Sequence, residues 1–357
     1  MKVLIWGLET KFGGVEKYVF DRLPYLNNVN SFDFAYPGNE IIDYLDKIDL
    51  HKSNIFHTHR LQKPIRYFFS IYRLVQKQHY DIVYCNLAFS NIILFLAVKA
   101  AGAKLVVHSH NTQIDVPGKI KQDIFNVYHY ISRLFGNNLI DKKFACSIAA
   151  GKWLFGDSSF QIRKNAIDSN IFVYDPEVRK VVRDKLQIND NEFVIGHVGR
   201  FSYQKNQEFL VNLFNVILRI YPKSKLLLIG DGEDKNKIKN QCRELGIEGR
   251  VIFLGFRNDV SNLMQAMDCF ILPSRFEGLG IVGIEAQAAD LPCFFSDTIT
   301  DEVKITPNVH SFFLNDSLYE IAKNVLLSAH YTRKNNQEII INNGYDLSTQ
   351  MKSFDLL

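Results

Sequence analysis

The 357-residue sequence is poor in cysteine and proline, with five of the first and nine of the second. Cys85, Cys146, Cys242, Cys269 and Cys293 stand at irregular intervals and form no C-x-x-C pair. That excludes a disulfide framework, a zinc ribbon and a redox dithiol, and points to reduced, buried thiols in a cytosolic protein. Nine prolines and 20 glycines are too few for a collagenous or low-complexity chain. Long apolar runs are missing as well. Ile92–Val98 and Leu226–Ile229 fall far short of the roughly 20 residues that cross a bilayer. At the N-terminus, Val3–Trp6 follow Lys2 and stop at Gly7, too short for a signal-peptide core. A soluble or peripheral protein is expected, with these residues as a buried first strand. No G-x-G-x-x-G follows that strand and no acidic ribose-binding residue closes a second one, so a dinucleotide site is disfavoured.

What is present is a globular composition, 47% hydrophobic and 22% charged, over a length that suggests two domains. Lys and Arg exceed Asp and Glu by only four overall, but the excess is uneven. Residues 1–170 carry net +7 and the remainder net −3. A basic first half fits either a polyanionic or membrane-surface partner or an ordinary solvated surface. No recognition motif supports nucleic-acid binding.

Short apolar runs alternate with amphipathic stretches throughout. Val3–Trp6, Ile82–Cys85, Leu105–Val107, Phe144–Cys146, Phe193–His197, Leu226–Ile229, Val251–Leu254, Cys269–Leu272 and Cys293–Ser296 predict strands. Pro64–Gln78, Glu208–Ile220 and Asp234–Leu245 predict helices. Continuous apolar strands between helices mean a parallel sheet covered on both faces. The pattern lapses over the polar stretch 165–192, which contains Asp175-Pro176, and a boundary is placed there. The expected organisation is α/β, with two facing Rossmann-like, doubly wound domains at 1–170 and 171–344, and a tail at 345–357 crossing back to the first. Ligands of such sheets bind at the carboxyl ends of the strands.

Three motifs sit at expected strand ends. Gly13-Gly14 could be a phosphate-approaching loop or a structural turn. Gly199-Arg200, with Lys205 and Asn206 further along, places two cations where a phosphate could be gripped, although two surface cations would look the same. The third, Pro273-Ser274-Arg275-Phe276-Glu277-Gly278-Leu279-Gly280, runs into a helix carrying Glu285. Two carboxylates on one loop and helix suit vicinal hydroxyls, and the glycines allow backbone amides near a diphosphate. His57 and His59 alternate as on a strand, and no further metal ligand is identifiable beside them.

The spacing Glu277-x7-Glu285, with Gly199-Arg200 and Lys205 upstream, resembles the retaining glycosyltransferases of family 4, which have the GT-B fold. Gly13-Gly14-Val15-Glu16-Lys17, Asn165-Ala166-Ile167-Asp168, Leu228-Ile229-Gly230-Asp231-Gly232 and Phe253–Val260 are similar to further family segments. His108-Ser109-His110-Asn111-Thr112 and Ser296-Asp297-Thr298-Ile299 resemble the branch that builds bacterial exopolysaccharide and capsule units. Ala166 and Asp290 depart from the usual glycines, at turns rather than at site positions.

The resemblance implies a hexose-type sugar moved from a nucleotide-sugar, a UDP-sugar, to a lipid-linked saccharide acceptor, with no cofactor and no obligatory metal. It assigns the diphosphate to Arg200 and Lys205, with Gly14, Gly199, Gly278, Leu279 and Gly280 close by. It gives the ribose to Glu285, the transferred sugar to Glu277 and His110, and the nucleobase to Phe256 and Arg257. His108 competes with His110 for the sugar. Residues 60–78, basic and aromatic, could lie on an anionic membrane surface at the cytoplasmic face or be a helix with an ordinary core side. A GT-B nucleotide-sugar epimerase and a non-catalytic nucleotide-binding subunit are the alternative functions.

Overall fold

A computed structural model describes residues 1–26, 30–114 and 118–353. The chain forms two compact units, Met1–Asn165 together with the residues from Met351 on, and Ala166–Gln350. The first unit therefore closes five residues before the expected boundary. Ile167 already belongs to the second, where it makes a parallel bridge to Asp346 and exchanges backbone hydrogen bonds with Tyr345 and Leu347. Ser169 adds a 2.7 Å hydroxyl bond to the Asp346 carboxylate. The start of the expected tail, 345–350, is thus held in the second unit, and 354–357 lie outside the described residues.

In the first unit, seven strands form one parallel sheet: β1 (Lys2–Trp6), β2 (Ser31–Pro37), β3 (Ile55–Thr58), β4 (Ile82–Leu87), β5 (Lys104–Ser109), β6 (Lys142–Ala145) and β7 (Gln161–Ile162). Their order is 3-2-1-4-5-6-7. The crossovers are α1 (Gly14–Leu26), α2 (Pro64–Gln78), α3 (Ile92–Ala100), α4 (Lys119–Gly136) and α5 (Ile148–Phe155). Strand β1 reads Lys-Val-Leu-Ile-Trp with its last four residues buried, as a strand covered on both faces must be. Asn91 ties three helices at one point. It caps α3 through the Leu94 amide at 3.2 Å, donates to the Tyr67 hydroxyl of α2 and accepts from the Tyr128 hydroxyl of α4.

The second unit repeats the plan with six parallel strands, β8 (Phe193–Val198), β9 (Ser224–Ile229), β10 (Val251–Gly255), β11 (Cys269–Leu272), β12 (Cys293–Ser296) and β13 (Val309–Phe312), ordered 10-9-8-11-12-13. Its helices are α6 (Pro176–Lys185), α7 (Gln207–Ile220), α8 (Lys235–Glu244), α9 (Val260–Gln265), α10 (Ile281–Ala288), α11 (Leu318–Leu327), α12 (Gln337–Asn342) and α13 (Leu347–Met351). Asp175-Pro176, read as part of a linker, starts α6. The Asp175 carboxylate accepts from the Glu177 and Val178 amides, and proline takes the first helical position, where no amide hydrogen is needed. Arg179 and Arg183 of that helix both reach Asp268, just before β11. Asp290, in place of a glycine, takes φ +50°, and its carboxylate is held by Tyr331 and Asn336. All five cysteines are buried thiols.

The order in which strands are added reverses once in each sheet, between β1 and β4 in the first unit and between β8 and β11 in the second. Chain leaving adjacent strands at such a point departs to opposite sides and leaves a crevice at the carboxyl edge. The glycine loops follow β1 and β8, and the Glu277 motif follows β11, three of these four strand ends.

Candidate active site

In the second unit, the loop after β8 and the loop after β11 are stitched together. The Arg275 amide donates to the Gln204 carbonyl at 2.8 Å, Asn206 Nδ2 to the Pro273 carbonyl at 3.1 Å, and Arg275 Nη1 to the Tyr203 carbonyl at 2.6 Å. Glu277 is the hub. Its Oε1 accepts from Lys205 Nζ at 2.6 Å and from Ser274 Oγ at 2.6 Å, and its Oε2 from Gln204 Nε2 at 3.4 Å. The carboxylate is 6% exposed and the lysine side chain 17%. Such a partly buried, charge-assisted bond fixes both side chains in advance of any ligand. The ammonium has two further N–H groups to offer an anion.

Neighbouring strand ends support this pair. Ser296 Oγ and Thr298 Oγ1 each donate to the Ser274 carbonyl at 2.6 Å, which gives the Ser296–Ile299 segment a physical role beneath the motif. Gln207, at the start of α7, donates to the Arg200 carbonyl at 2.8 Å and contacts His197 Nε2 at 3.2 Å. Burial drives the His197 pKa down to about 4, so it is neutral at pH 7. His197 and Gln207 went unnoticed in the sequence because a buried polar pair under a loop has no spacing signature.

Glycines set the shape of the cradle. Gly280 takes φ +82° as the residue before α10, a conformation that strains any side chain. A Cβ on Gly230 would lie 2.1 Å from the Gly199 carbonyl oxygen, so the loops after β8 and β9 meet backbone to backbone. Gly278, Leu279 and Gly280 lead directly into the α10 N-terminus, where backbone N–H groups and the helix dipole favour negative charge. Glu285 is buried on the same helix at 5% exposure. Arg200, on the same loop as Lys205, is half exposed, with Nε 3.2 Å from Glu233. After β10, Phe256 is exposed, and Arg257 forks onto Asp259 at 2.7 and 2.6 Å.

In the first unit, β1 ends at Gly7, with φ +88°, where a Cβ would lie 1.9 Å from the Asn86 carbonyl oxygen at the end of β4. No atom lies within 4 Å of a Cβ built on Gly14, so that glycine faces open space at the start of α1. His110 follows β5. Its Nε2 is 2.9 Å from Asn86 Oδ1. The amide orientation follows from Asn86 Nδ2 donating to the Trp6 carbonyl, which leaves Oδ1 to accept from an Nε2–H. His110 Nδ1 is then a lone-pair acceptor, with no hydrogen-bond partner among the described residues. Burial first, and Arg22 second, push the His110 pKa down to about 3, so the ring is neutral. His108 lies 4.0 Å away ring to ring but is wholly buried, with Nδ1 on the Tyr84 hydroxyl at 3.0 Å. Both rings keep one nitrogen without a hydrogen-bond partner among the described residues, Nε2 in His108 and Nδ1 in His110, and His110 is the less buried of the two, just beyond the strand end. His57 Nδ1 bonds the Gly38 carbonyl at 2.7 Å, and among the described residues no group of three His, Cys, Asp or Glu side chains could hold a metal.

Two families match in succession. Residues 12–156 match Glycosyltransferase Family 4, and residues 178–342 match Glycosyl transferases group 1. EpsF of Bacillus subtilis (strain 168), a protein named as a glycosyltransferase, is 28% identical over 305 residues, 82% of this chain and 78% of that protein. The UDP-Gal:alpha-D-GlcNAc-diphosphoundecaprenol alpha-1,3-galactosyltransferase of Escherichia coli is 30% identical over 252 residues, 66% of this chain and 63% of its own length. Among solved structures, Anabaena Alr3699/HepE in complex with UDP-glucose superposes with TM-score 0.78 at 23% identity, covering 99% of this chain and 98% of that one. The chain belongs to the family 4 glycosyltransferases. Its two parallel α/β units are those of the GT-B fold, and it is a sugar-transferring enzyme.

Proposed function

We propose that this enzyme moves a hexose-type sugar from a UDP-sugar, with retention of anomeric configuration, to a lipid-linked saccharide during exopolysaccharide or capsule assembly. The observation that carries the reading is the Lys205–Glu277 pair, 2.6 Å long, where the strand order of the second sheet reverses and next to the α10 N-terminus. A cation and a carboxylate held together there can meet a diphosphate and a sugar hydroxyl side by side. Lys205, Arg200 and the amides of Gly278, Leu279 and Gly280 take the diphosphate and the charge that grows as the leaving group departs. Gly199 leaves room for the Lys205 side chain, because a Cβ on it would press on that lysine at 3.2 Å. Glu285 takes the ribose, and Phe256 and Arg257 the base. Glu277 and His110 take sugar hydroxyls, and Gly14 leaves room for the phosphate. These groups carry the charge that a metal would otherwise carry, so transfer proceeds without one.

The uridine and the acceptor are supported by the neighbours. HepE was solved with UDP-glucose, and the E. coli relative is named for a UDP-sugar donor and a diphosphoundecaprenol acceptor. The polysaccharide setting is supported by the Vi polysaccharide biosynthesis protein VipC/TviE of Salmonella typhi, 33% identical over 128 residues, 36% of this chain and 22% of that protein. Among the described residues no helix is long and apolar enough to cross a membrane. The enzyme would meet its acceptor from the cytoplasmic face. Residues 60–78 contribute helix α2, which buries Tyr67, Ile71 and Val75 and leaves Ile65 and Phe69 exposed among Lys63, Arg66, Arg73 and Lys77. Helix α4 supplies a longer apolar stripe, Ile120, Ile124, Val127, Ile131 and Leu134, all exposed. Exposed apolar residues beside basic ones on each helix suit an anionic leaflet.

The test is a panel of nucleotide-sugars with a lipid-linked acceptor in EDTA, followed by NMR of the linkage formed. The expected outcome is an axial, retained linkage from a UDP-sugar, reduced by about 100-fold or more in Glu285→Gln with the fold intact. An epimerised donor without transfer, or bound nucleotide without turnover, would overturn the reading.

A further inference from the structure

Glu16 is the third residue of α1 and is 3% exposed. Its Oε2 accepts from the Gly13 amide at 2.9 Å, the usual reach of a glutamate back over the start of its own helix. Its Oε1 does something that helix capping does not require. It accepts from the Glu9 amide at 2.7 Å, seven residues upstream, inside the loop that joins β1 to α1. The far side of the same loop is pinned as well. The Tyr44 hydroxyl donates to the Glu9 carbonyl at 2.5 Å, the Asp43 amide donates to the Thr10 carbonyl at 2.9 Å, and Phe12 packs edge-on against Tyr44. The loop is therefore a small ring of chain closed around one buried carboxylate. At one end is Gly7, against the strand end that holds His110 through Asn86. At the other is Gly14, facing open space.

We propose that Glu16 is a positioning residue, whose ionised carboxylate clasps the glycine loop in the shape that receives the donor, and that a proton on it opens the clasp. What the loop touches rests on the transferase reading above. The clasp itself does not.

The electrostatic setting agrees. Burial is the main cause that pushes the Glu16 carboxyl up, to about 7, against the pull of the two amides. The ionisable groups facing it are Glu9, of like charge, and the Tyr36 and Tyr44 phenols. Burial also drives both phenols up, Tyr36 to about 12, so neither titrates near neutrality. Lys17, next along the helix, is engaged with Asp21 at 2.8 Å. Above pH 7 the carboxylate offers an acceptor to each amide. Below it, one oxygen becomes a hydroxyl facing an N–H, and one of the two bonds is lost.

The amide resonances of Glu9 and Gly13, followed in the full-length 15N-labelled protein from pH 5.5 to 8.5, test this directly. The expected result is that both move with one shared midpoint near 7. In parallel, the donor KM should rise about 3- to 10-fold on going from pH 8 to pH 6, the size of one lost hydrogen bond, while kcat changes less. Glu16→Gln, which presents one acceptor and one donor, should show flat amide shifts and the raised KM at every pH. Amides that do not titrate together in the wild type overturn the clasp, and that measurement needs neither a variant nor any activity. A shared titration with an unmoved donor KM overturns the positioning role. Absence of transfer from every donor would count against the transferase reading and leave the clasp standing or falling on the resonances.

Discussion

Lys205 and Glu277 are worth more to each other than a surface ion pair, because neither can fall back fully on water. Exposed pairs of this kind contribute little, whereas removing one partner of a buried pair strands the other charge. Lys205→Ala is therefore expected to lower unfolding free energy by about 2 kcal/mol and to slow transfer by about 100-fold. Urea unfolding and single-turnover kinetics on the same preparation read both numbers. A turnover loss without any stability loss would mean that Glu277 relaxes toward solvent when the lysine is gone. Arg200, half exposed and 3.2 Å from an equally exposed Glu233, should behave differently, with turnover falling and stability nearly unchanged. The sequence made these residues visible because a glycine-rich loop after an apolar strand, with a carboxylate in it, is rare by chance. It did not show that Glu277 and Lys205 bind each other, since 72 residues separate them and only the parallel pairing of β8 with β11 brings their loops together. The choice between His108 and His110 was equally hidden. They stand two residues apart at one strand end, and only packing shows that His108 is wholly buried while His110 is partly so.

Among the elements, α4 departs most from expectation. A helix of a doubly wound unit has one buried face, and α4 buries His129, Ser132 and Gly136, with the His129 ring stacked on Trp153 of α5 and Gly136 close against Phe95 of α3. Its opposite face is apolar, with Ile120 78% and Leu134 74% exposed. The repeat of four and three residues along 120, 124, 127, 131 and 134 was present in the sequence, but periodicity alone does not say which apolar face a helix buries. The aromatic and basic content of α2 drew attention first, although α2 turns part of its apolar face inward. If the outer face meets a leaflet, Ile124→Glu combined with Leu134→Glu should abolish flotation with vesicles containing anionic lipid, while donor hydrolysis in solution stays within about twofold. Retained flotation would return the role to α2 alone. Helix α10 shows the opposite economy. Gly283 lets it settle on the sheet, since a Cβ there would come within 2.8 Å of the Phe295 ring. Nine strands were legible to within two residues, because a parallel strand covered on both faces has no polar side to blur its ends. Strands β2, β3, β7 and β13 were not among those expected, and β3, β7 and β13 are edge strands with exposed positions that break the apolar run.

At the scale of the molecule, buried histidines set the response to acid. His108, His110 and His129 in the first unit all have pKa values depressed by burial, to about 3 for His110 and about 4 for His129. The second unit has His197, at about 4. Each is neutral when folded and takes up a proton on unfolding once the pH drops below the ordinary 6.5, so each contributes stability that is lost on acidification. Glu16 works the other way. Its folded pKa, near 7 against 4.5, makes it release a proton on unfolding between those values and stabilises the folded state in acid. At pH 5.5 the balance is about two protons taken up by the first unit and about one by the second. The first unit should accordingly lose more stability than the second between pH 7.5 and 5.5. Hydrogen exchange with mass spectrometry, run in urea at both pH values, follows each unit by its own peptides. Equal shifts in the two would contradict the assignment.

The cysteines, noted first for their scarcity, give the protein a practical property. All five thiols lie inside the units, and burial raises the pKa of Cys85, Cys242, Cys269 and Cys293, so that few thiolates form at neutral pH. The folded enzyme is in effect a blank for maleimide chemistry. A single cysteine introduced on the outer face of α4, or one in each unit, can take a fluorophore or spin label without stripping the native residues. Depth in a bilayer, and the distance between the units during turnover, then become measurable on an otherwise wild-type chain.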